Sequence, residues 1–160
     1  DVRELPWEGR RRRLEMFLAK LDPHRFDLSV LIEASDFEAL AEIRGGRKKT
    51  HWMWFVFPQL AGLGSSPMAR KYAIQSLDEA REYLKHPLLG ARLRECAESV
   101  VSVSGKSAHE IFGSPDDLKL RSCATLFAQI SPEDSLFHRI IRQYYSSEPD
   151  EETIRLLGLR

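Results

Sequence analysis

The chain has 160 residues, which is enough for one domain with a sizeable hydrophobic core that does not need disulfides. Lysine plus arginine equals aspartate plus glutamate at 24 each, so the formal net charge is zero and the chain as a whole does not attract DNA, RNA or anionic lipid. Two cysteines without CxxC spacing and the lack of a membrane-length apolar run favour a reduced, cytoplasmic protein with no membrane segment.

Helix signals recur along the chain, whereas strand signals are rare. Apolar residues at helical spacing predict a first helix over residues 8–21, which we expect to be part of an N-terminal helical extension of residues 1–21. The domain proper is expected to occupy residues 22–160. Its first helical stretch, residues 26–43, ends at a pair of glycines, which is a common C-terminal stop.

Serine caps and proline positions predict the later helices. The predicted segments are residues 68–72, 76–84, 87–103, 107–113, 115–129, 132–146 and 150–157. Only residues 53–57 fit a buried strand as well as a helix, because the apolar run is too short to show a period. We therefore predict a mainly α, compact, single-domain helical fold with at most one or two short strands.

Residues 44–60 place a basic loop directly before two tryptophans, two phenylalanines, a histidine and a glutamine. Tryptophan faces with cationic and amide neighbours suit stacking on a planar ring and binding a phosphate, although any one of these aromatic residues has an equal claim to a place in the core. His51 is interpreted either as an acid or base-edge hydrogen-bonding group or as an ordinary partly buried side chain. The candidate ligand contacts here and just beyond are Lys49, Trp52, Trp54, Gln59 and Tyr72.

A second polar cluster begins the predicted helix at residues 115–129. Asp116 and Asp117 fall in its first turn, where the helix dipole alone would favour them, and Lys119 and Ser122 follow within about two turns. In a cleft, a carboxylate beside a cation is suitable for N-glycosidic chemistry. The five histidines have no metal-ligand spacing, and no dinucleotide or P-loop motif is present, so no metal or cofactor is predicted.

The chain resembles a bacterial domain family of unknown function, some of whose members carry the label "calpastatin". The resemblance covers about residues 26–157 and rests on three blocks in the same order and with similar spacing: GRKKTHWMWFVFPQLAGLGSSPMARKYAI, SLDEAREYLKHPLLGARL and IFGSPDDLKLRSCATLF. A calpastatin-like inhibitor would be a disordered chain, whereas the hydrophobic content and repeated caps here predict a folded domain.

That family is in turn similar, at a distance, to the NADAR domains, which are compact, mostly helical and include N-glycosidases acting on ribosylated bases. The similarity implies that His51 matches a motif histidine and that Asp117 and Lys119 match the acidic and lysine positions of a second block. Thr50 stands where the first motif has a glutamate, and the tryptophan expected in the second block is absent.

Three functions follow as hypotheses. The first is an N-glycosidase or ADP-ribose hydrolase, in which Trp52 or Trp54 stacks the base, lysines hold phosphate, and Asp117 stabilises the ribosyl cation or activates water, with His51 and Lys119 as further catalytic candidates. The second is a non-catalytic nucleotide or ADP-ribose-binding module that uses the same cleft. The third is a protein or nucleic-acid interaction domain, for which the zero net charge makes nucleic acid the weaker partner.

Overall fold

The computed structural model describes residues 37–160, and the predicted extension of residues 1–21 lies outside them. Nine helices occupy the described range: α1 (residues 37–44), α2 (Met53–Val56), α3 (Pro67–Tyr72), α4 (Leu77–Lys85), α5 (Leu89–Ser102), α6 (Ala108–Phe112), α7 (Asp116–Ala128), α8 (Leu136–Tyr144) and α9 (Glu151–Leu156). Strand pairing in this range is limited to one isolated parallel bridge between Leu60 and Ile74. The predicted mainly α fold is confirmed.

Side-chain caps start three of these helices at the predicted residues. Ser76 accepts a hydrogen bond from the amide of Glu79, and Ser107 with Glu110 forms a complete capping box. Asp150 caps α9 through the amide of Thr153. In each case the side-chain oxygen satisfies an amide that has no partner within its helix, which is why the sequence signal was informative.

The two helix caps predicted at Ser-Pro pairs were wrong. The segment after Ser131 does not enter a helix at once but forms a turn in which the amide of Ser135 donates to the carbonyl of Pro132. Ser135 then caps α8, so the helix begins at Leu136 rather than at residue 132. Likewise α7 begins at Asp116 without a side-chain cap from Ser114. A Ser-Pro pair is compatible with a turn as well as with a helix start, and the local turn prevails at both places.

The centre of the core is α7, which is buried along most of its length and packs against α8 and α6. Helix α5 packs against α8 on one side and α4 on another. Phe127 of α7 stacks on Phe137 of α8 with ring centres 5.3 Å apart. Cys123 of α7 is a buried free thiol, and burial raises its pKa well above the usual value. None of the helices in residues 37–160 combines the length and the hydrophobicity that a bilayer crossing requires.

The segment that fitted a strand or a helix equally well is the single helical turn α2. In a helix, residues two apart point to nearly opposite sides, so α2 divides the aromatic segment into two groups. Trp52 and Phe57 face the core, where each makes an edge-to-face contact with Phe112. Trp54 and Phe55 are only half-buried and lie on the other side. Only the second group is accessible to a ligand.

Candidate functional site

A cavity of about 300 Å³ lies where the chain after α2 folds back on α3. Four side chains carry its chemistry: Trp54 from α2, Gln59 from the following loop, Arg70 from α3 and Gln75 from the segment before α4. The remaining wall consists of small or apolar residues, namely Leu60, Ala61, Gly62, Gly64, Ala69 and Ala73. The cavity therefore combines an aromatic face, a guanidinium and two amides.

The isolated bridge closes the loop around this cavity. The amide of Ala61 donates to the carbonyl of Ile74 and the amide of Ile74 donates to the carbonyl of Gln59, both at 2.8 Å. These bonds hold the segments of Gln59 and Gln75 next to each other at the cavity. The turn before α3 approaches the helix so closely that a Cβ at Gly64 would lie 2.4 Å from Cβ of Ala69. Glycine at this position is therefore required by the close approach of the two segments.

The polar groups of the cavity are available to a ligand. The indole of Trp54 stacks on Tyr72, with ring centres 5.3 Å apart and an angle of 20° between the planes. Tyr72 therefore supports Trp54 from behind instead of lining the cavity itself. The exposed guanidinium of Arg70 forms no ion pair or hydrogen bond within residues 37–160. Gln75 donates its side-chain amide to the carbonyl of Ala73 at 3.3 Å, which leaves its side-chain oxygen free to accept.

The two blocks singled out in the sequence meet at a second place, around Asp116. Lys48 Nζ lies 2.8 Å from one carboxylate oxygen of Asp116, and Lys119 Nζ lies 3.1 Å from the other. Lys48 also donates to the carbonyl of Thr50 at 2.6 Å, and its side chain is only 7% exposed. Burial alone would raise the pKa of Asp116, but the hydrogen bonds and charges of the two lysines outweigh it and lower the pKa. The three side chains satisfy one another and tie the basic loop to α7.

Trp52 belongs to this structural cluster and not to the cavity. It is 1% exposed, and its indole N–H donates to Glu42 at 2.9 Å. The same carboxylate accepts from the amides of Lys49 and Thr50 and from the Thr50 hydroxyl, at 2.7, 3.1 and 2.7 Å. With both ring faces covered, Trp52 cannot stack on a ligand in this structure, and this corrects the expectation that either tryptophan would do so.

Glu42 is a residue that the sequence interpretation missed, and its removal is expected to loosen the loop. Replacing Glu42 with glutamine should lower the free energy of unfolding by about 2 kcal/mol, because a neutral amide offers only one oxygen to four donors. Burial raises the pKa of Glu42, but the four hydrogen bonds prevail and lower it. The stabilisation is therefore present above the unfolded pKa, about 4.3, and is lost as the pH falls through the folded value.

Urea unfolding of the wild type and Glu42→Gln at pH 7 and pH 3 measures this effect. Glu38→Gln is the matched control, since Glu38 is exposed on the same helix. We expect the full difference in free energy of unfolding between the wild type and Glu42→Gln at pH 7 and a smaller difference at pH 3. Equal free energies of unfolding for Glu42→Gln and Glu38→Gln at pH 7 would show that the four hydrogen bonds make no net contribution to stability.

The remaining predicted residues lie outside the cavity. Asp117 pairs with His109, with its carboxylate oxygen 3.2 Å from Nδ1, and also accepts from the amide of Leu118 at 2.9 Å. Ser122 is buried and donates its hydroxyl to the carbonyl of Leu118 at 3.1 Å, so it is not available to a ligand. His51 and Lys49 are exposed on the basic loop.

The structure thus separates the predicted site into two groups. Trp54 and Gln59 line the cavity and Tyr72 supports it, whereas the catalytic candidates Asp117, His51 and Lys119 are not among the described residues that line it. Arg70 and Gln75 are the cavity residues that the sequence interpretation did not select. No three His, Cys, Asp or Glu side chains in the described part of the chain are arranged to hold a metal ion.

The chain belongs to the family described as "Protein of unknown function (DUF1810)", whose model matches residues 25–157. It is similar to the conserved hypothetical protein Rv1873 from Mycobacterium tuberculosis, whose crystal structure at 1.38 Å has a TM-score of 0.77 and 48% sequence identity over 87% of this chain and 100% of that chain. No curated protein matches the chain significantly. The expected membership in a family of unknown function is confirmed, and so is the expected span of about residues 26–157.

Proposed function

We propose that this domain binds a small nucleotide or ADP-ribose-like ligand in the cavity beside Trp54. The observation that carries the proposal is that Trp54, which stacks on Tyr72, and the guanidinium of Arg70, which has no partner among residues 37–160, line one cavity. An aromatic face suits a base, and a guanidinium suits a phosphate. The volume of about 300 Å³ is at the lower end of the range of small-molecule sites.

Binding without turnover is the function that the geometry supports best. Hydrolysis of an N-glycosidic bond calls for a carboxylate that stabilises the oxocarbenium-like transition state or activates water. The described residues that line the cavity include tryptophan, arginine and glutamine but neither aspartate nor glutamate. A ligand held by Trp54 and Arg70 therefore meets binding groups and no acid or base from this part of the chain.

An N-glycosidase is the second candidate, and the observation in its favour is the contact between Asp117 and His109. A carboxylate that orients an exposed imidazole is suitable for acid–base chemistry, and Asp117 is the position implied by the distant NADAR resemblance. In that case Lys119 and the exposed His51 would be further catalytic candidates. The distant relationship to NADAR domains would then include the hydrolysis of an N-glycosidic bond. The position of this pair outside the cavity is the reason that we rank hydrolysis second.

Isothermal titration of the domain with AMP, adenosine, ADP-ribose and ribose 5-phosphate tests the binding proposal. We expect micromolar affinity for AMP and weaker affinity for adenosine, because adenosine has no phosphate to meet Arg70. Ribose 5-phosphate should also bind more weakly, because it has no base to stack on Trp54. If none of the four compounds gives a heat of binding, the proposal is overturned, and the stacked pair of Trp54 and Tyr72 has only a packing role.

Chromatography of the same mixtures distinguishes the two candidates. We expect ADP-ribose and NAD to be recovered unchanged after prolonged incubation with the wild-type protein. Release of a base that is lost in Asp117→Asn but kept in Asp134→Asn, an exposed aspartate in the turn before α8, would overturn this expectation and establish the hydrolase.

A further inference from the structure

The wall of the cavity beside Trp54 comes from two parts of the chain. One part is the loop of residues 61–73, which contains α3 and whose ends are joined by the bridge between Leu60 and Ile74. A compact surface loop with its ends close together is an Ω-loop. Six of the lining residues belong to this Ω-loop, namely Ala61, Gly62, Gly64, Ala69, Arg70 and Ala73. The cavity therefore has Arg70 on the Ω-loop and Trp54 outside it.

The Ω-loop is weakly packed, whereas its base is firmly held. None of residues 61–73 is buried, so α3 contributes no buried side chain. At the base, Leu60 and Ile74 are 4% and 3% exposed, and both hydrogen bonds of the bridge measure 2.8 Å. Segments with few buried apolar contacts open locally at a much lower free energy than the core does. Opening of the Ω-loop is therefore expected to stop at the bridge.

Tyr72 attaches the Ω-loop to α2. Besides its stack on Trp54, the ring of Tyr72 lies against Phe55, with ring centres 6.3 Å apart and an angle of 52° between the planes. The hydroxyl of Tyr72 makes no hydrogen bond within residues 37–160, so this attachment depends on the ring. Leu63 adds a partly buried contact with the core. Contacts of this kind are easily broken and remade, in contrast to a fully packed helix face.

We infer that the Ω-loop is a lid that opens as a unit about the bridge between Leu60 and Ile74. In the closed form, which the structure shows, Tyr72 is stacked on Trp54, and Arg70 lines the same cavity as Trp54. In the open form Arg70 and Tyr72 leave with the Ω-loop, and Trp54 stays behind on α2. The lid admits a ligand to Trp54 and then completes the cavity by returning Arg70 to it. This inference goes beyond the proposed function, because it depends on the fold and not on the identity of the ligand.

Native-state hydrogen exchange followed by NMR tests the lid without any ligand. The amides of Ala69 and Arg70 donate to Ser66 within the Ω-loop, and the amides of Ala61 and Ile74 form the bridge. We expect the protection factors of Ala69 and Arg70 to be at least about 100-fold lower than those of the two bridge amides. Equal protection of the two pairs of amides would overturn the lid.

Substitutions of Tyr72 distinguish opening of the lid from fraying of α3. Tyr72→Ala removes the ring and should speed exchange at Ala69 and Arg70 about tenfold, with exchange at Ile74 unchanged. Fraying alone would become slower, because alanine has a higher helix propensity than tyrosine. Tyr72→Phe is the matched control, since it keeps the ring, and it should exchange like the wild type. Unchanged or slower exchange of the two loop amides in Tyr72→Ala, or faster exchange at Ile74 as well, would contradict a lid that opens about the bridge.

The same measurement with AMP separates the lid from the proposed function. Bound AMP would contact Trp54 and Arg70 together, so it should slow exchange at Ala69 and Arg70 and leave Ile74 unchanged. If AMP does not bind but the exchange pattern of the free protein is the expected one, nucleotide binding is overturned and the lid stands. If AMP binds but the loop and bridge amides of the free protein are equally protected, the lid is overturned and nucleotide binding stands.

Discussion

Replacing Lys48 with methionine is expected to lower the free energy of unfolding by about 3 kcal/mol or more, the range in which breaking a buried ion pair falls. Methionine keeps most of the length of the apolar stem but removes the charge. Asp116, 18% exposed, would keep only Lys119 at 3.1 Å, and the carbonyl of Thr50 would lose its donor. Urea unfolding at pH 7 measures the change.

The neighbouring residue provides a matched control. Lys49 is exposed and its only hydrogen bond to Glu42 is made by its backbone amide, so Lys49→Met should change the free energy of unfolding by less than about 0.5 kcal/mol. A double variant, Lys48→Met with Asp116→Leu, should recover part of the loss because it removes the carboxylate that has lost one of its two lysines. Equal effects of Lys48→Met and Lys49→Met would contradict a structural role for the ion pair.

Acid should erase the difference between the wild type and Lys48→Met. The two lysines hold the pKa of Asp116 below its usual value despite burial, so the stabilisation is present above the unfolded pKa, about 3.9. It is lost as the pH falls through the folded pKa, because the protonated carboxyl no longer attracts Lys48. The two proteins should therefore converge in stability as the pH falls below the folded pKa of Asp116.

The helices could be predicted from sequence to the extent that their start signals are local. The Ser76, Ser107 and Asp150 caps involve amides three residues away, and all three were placed correctly. Ser131 failed because a serine before a proline also suits a turn, and Ser135, four residues later, offered a competing cap. Nothing within a window of a few residues decides between these two serines.

The candidate site was predicted only in part, because its members come together through contacts that no local pattern encodes. Composition drew attention to the aromatic segment. It could not show that Trp52 would be buried with its indole N–H bonded to Glu42, ten residues earlier, while Trp54 remained accessible. Arg70 and Gln75 reach the cavity because the bridge between Leu60 and Ile74 closes the loop formed by residues 60–74. A pairing of this kind depends on tertiary packing and leaves no period in the sequence.

The separation of the two clusters has a functional consequence. The contacts of Lys48, Asp116 and Glu42 hold the basic loop that leads into α2, and so they fix the helical turn on which Trp54 stands. Trp52 is buried at the start of this turn, whereas Trp54 within it is half-buried. Positively charged residues near the aromatic segment are thus divided between a structural role for Lys48 and the ligand-binding role that we propose for Arg70.

Substituting alanine for Trp54 is expected to weaken AMP binding by about 10- to 100-fold, since stacking of a base on an aromatic side chain contributes about 1–3 kcal/mol. Trp54→Phe should keep most of the affinity, because phenylalanine retains a ring that can stack on Tyr72 behind it and on the base in front. Titration at a temperature where thermal melting shows every variant folded provides the measurement.

The comparison with Trp52 makes this test specific to the cavity. Trp52→Ala creates a void in the core and should destabilise the protein by about 3–5 kcal/mol, while the fraction that remains folded binds AMP with wild-type affinity. Trp54→Ala should do the reverse, with a smaller loss of stability and a large loss of affinity. Unchanged affinity in a folded Trp54→Ala protein would show that the stacked pair of Trp54 and Tyr72 serves only packing, and the ligand site would then have to be sought away from this cavity.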